Sequence, residues 1–123
     1  MITLAEVGLG GLVGAPTRFV VDQLVTSRRR GIFPWGTFVV NAAGAFILGL
    51  LDGLATYHGL GPVPSAVLGT GFCGALTTFS TLSYETLRLL EEGNPAAACW
   101  NVAGSLVVGL AAAGAGMGVA ALV

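Results

Sequence analysis

Charge is what this sequence has least of. Only 9% of its 123 residues are charged, 54% are hydrophobic, and the mean hydropathy is +0.87. A soluble domain carries about 25% charged residues, so this chain has too little polar surface to stay in water as a globule. The net charge of −1 and a pI near 5.6 supply no basic face to neutralise phosphates, which argues against a nucleic-acid partner. The one basic cluster, Arg28-Arg29-Arg30, reads as loop charge flanking a membrane helix. Histidine is nearly absent, with His58 alone, and the two cysteines, Cys73 and Cys99, sit in apolar segments without a metal-ligand spacing. Both cysteines read as small buried hydrophobes. No Ser-His-Asp or Cys-His set can be assembled, and no Gly-rich phosphate loop follows a strand, because no strand is expected. These gaps argue against a membrane enzyme. The N-terminus lacks a basic leader and cleavage site, so Met1 onward is expected to remain as part of the first span.

What is abundant is glycine, 20 residues in all, within long apolar runs. Crossing the hydrocarbon core takes about 20 mainly apolar residues, and four segments qualify: 2–25, 33–56, 65–90 and 96–121. Pro34 suits a helix start; Glu91-Glu92-Gly93-Asn94-Pro95 is a stop signal. The expected fold is therefore an all-α integral membrane protein, residues 1–123 forming one membrane domain. Gly10/Gly14, Gly49/Gly53 and Gly114/Gly118 offer small-xxx-small contacts for close helix crossings. Four short helices barely enclose a pore, which points to an oligomer. Arg28, Arg29, Arg30 and Arg88 all fall on the side of the 1–2 and 3–4 loops, and the other side has no Lys or Arg. The positive-inside rule then places both termini outside.

Polar groups inside spans are expensive and therefore informative. Arg18 either snorkels or pairs with Asp22, or it lines an anion-attracting vestibule. Asn41, with Thr37 one turn before it, is either a helix–helix clasp or a lining donor. Asn101 and Ser105 repeat that ambiguity in the fourth span. The densest polar stretch is GALTTFSTLSYE, residues 74–85, which follows Gly69 and Gly71. Its hydroxyls compete with the helical ladder, so a break is expected near 74–78, mid-membrane. Such a break is tolerated only where it is buried in protein or lines a cavity, and its freed carbonyls suit a cation. A local Glu85–Arg88 pair is the plainer reading of that carboxylate.

Three motifs together carry a family resemblance. GGLVGAPTRF, GTFVVNAAGAFILG and, most specifically, GTGFCGALTTFSTLSYE resemble the first, second and third helices of the Fluc-type fluoride channels, also called the CrcB family. The resemblance covers nearly the whole chain. It implies a fluoride-selective channel that exports the ion passively across the bacterial plasma membrane. It also implies a dimer of antiparallel subunits with a structural Na+ at the dimer centre, held by the backbone carbonyls of Gly74 and Thr77. Phe79 becomes a pore phenylalanine, Asn41 a pore donor and Arg18 a vestibule residue. Ser80, Thr81, Ser83 and Ser105 become candidates for a polar track, and Glu85 matches an acidic residue whose role stays open. The sequence departs from the family pattern at Leu82, where a second Phe is usual. That departure and the one-sided arginines raise a second expectation, a heteromer with an oppositely inserted paralogue. A non-conducting scaffold subunit is the competitor from another class.

Overall fold

The computed structural model describes residues 3–123. Four membrane-length helical segments form an all-α bundle: α1 (Leu4–Arg28), α2 (Trp35–His58), an interrupted third segment over Pro62–Glu91, and α6 (Pro95–Leu122). Residue 2, where the first span was expected to begin, and Met1 lie outside the described residues. The third segment comprises α3 (Pro62–Ser65), a π-helical stretch Ala66–Cys73, α4 (Gly74–Leu76) and α5 (Phe79–Glu91).

The boundaries follow local chemistry. Thr3 and Glu6 form a reciprocal capping box at the start of α1. Gly59 ends α2 at φ 68°, a left-handed conformation that a side chain disfavours. Pro62 and Pro95 open the third and fourth segments, where their missing N–H costs nothing. Asn94 caps α6 by accepting from the Ala97 N–H at 3.2 Å.

Helices meet where side chains are small. A Cβ on Gly10 or Gly14 would collide with the backbone carbonyls of Val67 or Phe72, so these glycines let α1 lie directly on the third segment. A Cβ on Gly49 or Gly53 would strike Ala113 or Ala120 of α6. On α6 the expectation needs correcting. Gly114 and Gly118 have open space beside them, and the contact to α2 is made by Gly116 against the backbone of Phe46 and Leu50. Placing the pair at 114/118 missed the helix face by half a turn. Cys73 is fully buried as expected, but Cys99 is exposed. It sits beside the largely exposed Trp100 in the first turns of α6.

Candidate functional site

The site is built on the interruption of the third segment. The π-helical stretch carries Gly69 and Gly71, and a wider turn of that kind often marks a functional position. The helix then stops: Thr77 (φ −83°, ψ 160°) and Thr78 (φ −151°, ψ 125°) are extended before α5 begins at Phe79. The expected break at 74–78 is thus present, at its last two residues.

Asn41 of α2 holds the break open. Its Nδ2 donates to the Thr78 carbonyl at 3.0 Å, and its Oδ1 accepts from the Thr78 N–H at 2.8 Å. In an unbroken helix that N–H would serve the carbonyl of Gly74, four residues back. One amide satisfies both the N–H and the C=O of Thr78, in two successive peptide units, at membrane depth, where an unsatisfied group is costly. Gly44, one turn further along α2, completes the seat, because a Cβ there would strike the Thr77 side chain. Thr78 in turn caps α5. Its hydroxyl accepts from the Thr81 N–H at 3.2 Å and lies 3.1 Å from the Thr81 hydroxyl and 3.3 Å from that of Ser80.

Two cavities flank the break. One, of ≈ 200 Å³, lies between α1, α2 and α5 and is lined by Ala15, Arg18, Phe19, Asp22, Thr37, Val40, Thr78 and Thr81. The other, of ≈ 250 Å³, is an open groove lined by Asn41, Ala45, Leu48, Thr77, Thr78, Phe79 and Leu82. Phe79 projects from it with 81% of its surface exposed.

Arg18 forms no pair with Asp22. Its Nη1 donates to the Thr77 carbonyl at 3.3 Å, reaching sideways to the break rather than snorkelling. Glu85 does not pair with Arg88 either. It accepts from the buried Thr37 hydroxyl at 3.0 Å, while Arg88 pairs with Glu92 at 3.6 Å. On α5, Glu85 lies one turn beyond Thr81 and shares its inward face, whereas Arg88 points to the exposed end. Ser80 and Ser83 are exposed, and the Ser83 hydroxyl donates to the Phe79 carbonyl at 3.0 Å. Ser105 lines neither cavity; its oxygen is buried without a partner. Asn101 is fully buried and donates to the Thr86 hydroxyl at 2.9 Å, which joins α6 to α5.

Sequence reasoning missed Thr37–Glu85 and Asn101–Thr86, contacts between residues far apart in the chain. It also gave Thr78 no role beyond the break, although Thr at position 78 followed by Thr81 matches the spacing of an N-cap.

The family model for "CrcB-like protein, Camphor Resistance (CrcB)" matches residues 5–117. The chain belongs to the CrcB-like family. Relatives include a "Fluoride-specific ion channel FluC 1" of Streptomyces avermitilis, 51% identical over 108 residues, covering 88% of this chain and 87% of the relative. Another protein of that name, from Frankia casuarinae, is 44% identical over 119 residues and 90% of each chain. A "Fluoride-specific ion channel FluC 2" of Clostridium acetobutylicum is 38% identical over 104 residues, 85% of this chain and 86% of the relative. Family membership and the four spans make this CrcB-like chain a multi-pass protein of the bacterial plasma membrane.

Proposed function

We propose that this chain is a fluoride-selective channel that lets cytoplasmic fluoride leave the cell passively. The observation that carries this reading is the break at Thr77–Thr78, pinned by Asn41 and followed by an exposed Phe79. The relatives' names give the ion. Fluoride that enters as neutral HF ionises at cytoplasmic pH, and a negative-inside potential of 100 mV drives each anion outward with about 2.3 kcal/mol.

In this reading Arg18 raises the anion concentration near the break. The positive ring edge of Phe79 and the second Nδ2 hydrogen of Asn41 then replace part of the ion's hydration shell. Thr81, Ser80 and Ser83 extend the hydroxyl track, with Thr37, held by Glu85, on its inner wall, and Ser105 adds a buried hydroxyl without a protein partner outside the two cavities. Phe79 stands open on one subunit, so the pore is completed by a second, antiparallel copy. This is transport, with no bond made or broken.

A structural Na+ fits the break in part. The Gly74 carbonyl has lost its helical donor to Asn41, leaving the kind of hard oxygen a small cation takes. The Thr77 carbonyl already accepts from Arg18, and a guanidinium at 3.3 Å weakens it as a cation ligand. Gly74 and Thr77 together would hold the ion, with Gly74 the stronger contributor.

Leu82 favours a second reading, an obligate heteromer. It lines the groove beside Phe79 but offers no positive ring edge. An oppositely inserted paralogue would supply the missing phenylalanine.

Reconstitution into liposomes with a fluoride electrode tests these readings. The homomeric channel predicts fluoride efflux from the purified chain without ion coupling, abolished by Phe79→Ile and by Asn41→Asp. Flux indifferent to both substitutions would overturn the pore assignment. A chain that is silent alone but conducts with a paralogue would establish the heteromer. A chain silent in every combination would be a scaffold subunit.

A further inference from the structure

The arginine triplet and the aromatic residues that follow it play no part in the pore described above. Phe33, Trp35 and Phe38 form one cluster, with ring centroids 4.7 to 5.8 Å apart. The Arg29 guanidinium lies 5.1 Å above the Trp35 ring, within cation–π range. These rings form one wall of a wholly apolar groove of ≈ 570 Å³ between α2 and α6, closed on the other side by Ala97, Trp100, Gly104 and Val108. Arg29 stands over Trp35 at the edge of this groove, with Arg28 and Arg30 its chain neighbours; all three are exposed, and among the described residues none has a carboxylate partner.

We propose that this groove seats one anionic phospholipid, with an acyl chain along α6 and the headgroup phosphate against Arg28–Arg30. Two features favour lipid over protein. From Ala97 to Val108 the groove follows α6 for about 16 Å at the helical rise. That is half of the roughly 30 Å hydrocarbon core, the depth of one leaflet. A helix of a second copy crosses both leaflets and needs a groove of full length. Beside the groove stand three exposed cations without carboxylate partners, one of them over a tryptophan, a combination suited to anionic headgroups and to the level of the membrane interface.

The chain has two tryptophans, Trp35 and Trp100, and both line the groove. Their fluorescence therefore reports its occupant. The protein is reconstituted into vesicles of equal parts phosphatidylglycerol and phosphatidylcholine, with brominated acyl chains on only one lipid at a time. Quenching is expected to give a relative association constant about fivefold or more in favour of phosphatidylglycerol. The triple substitution R28Q/R29Q/R30Q should bring that ratio to about one while quenching by both lipids persists.

Gly104→Leu fills the groove with the arginines intact, since a Cβ there meets only the Phe38 ring edge at 3.5 Å. It should also abolish the preference. Circular dichroism at equal helicity confirms that each variant is folded. Equal quenching by the two lipids in the unmodified protein would overturn the proposal. So would a preference that survives either variant, which would place the lipid elsewhere. Absence of quenching by either lipid would mean that protein covers the groove, and would overturn it too.

Discussion

Asn41 is asked to do two things with one carboxamide. Its oxygen and one of its two hydrogens are committed to the Thr78 peptide, which leaves a single hydrogen for an ion. Asn41→Asp removes both donors and places a carboxylate against the Thr78 carbonyl. It should lower stability by about 1–3 kcal/mol, the cost of an unsatisfied buried group, seen as a lower unfolding temperature in detergent. Thr78→Val keeps Asn41 and deletes the cap of α5, at a cost of about 1 kcal/mol. If the amide serves the ion as well as the break, Asn41→Asp abolishes flux, whereas Thr78→Val lowers flux only as far as it lowers the folded fraction. Equal loss of flux per unit of stability in the two variants would make Asn41 a clasp alone.

At the scale of the element, the third segment was partly legible. Gly69, Gly71 and the Thr77-Thr78 pair announce a weakened ladder, and the break falls on those threonines. The π-helical register over Ala66–Cys73 was not legible. It accompanies the close seating of Gly71 against Val7 and Gly10 of α1, a contact made by residues distant in sequence. The partner of Glu85 was hidden for the same reason, since spacing along α5 offers Arg88 and only the fold brings Thr37. Glycine spacing found the helix pairs on α1 and α2, but on α6 every face is rich in small residues, so spacing alone does not choose one.

Paired substitutions measure that difference. Gly10→Val forces a side chain into the backbone of Val67 and Phe72, which no rotamer relieves, and should cost about 1–3 kcal/mol or more. Gly114→Ala and Gly118→Ala meet open space and should be neutral, or stabilising by up to about 1 kcal/mol through helix propensity. Thermal unfolding in one detergent reads both. Equal destabilisation would show that Gly114 and Gly118 face a partner helix.

Arginine distribution decides what the whole molecule can assemble. An antiparallel homodimer needs copies of one sequence inserted in both orientations, yet Arg28, Arg29, Arg30 and Arg88 all lie at one end of the bundle. The positive-inside rule weights such short loops heavily, so the chain alone should insert with both termini outside. A C-terminal alkaline phosphatase fusion should then be active and the matching fluorescent-protein fusion dark. In R28Q/R29Q/R30Q only Arg88 remains at that end, and both reporters should give signal. The consequence for function follows directly. On the heteromeric reading, a chain fixed in one orientation builds no antiparallel pair with itself, so its fluoride flux should appear only with an oppositely biased paralogue, and the dual-orientation variant should recover assembly without one. If both reporters already give signal for the unmodified chain, the bias is too weak to govern insertion. The homodimer then stands, and Leu82 is tolerated beside a single phenylalanine in each groove.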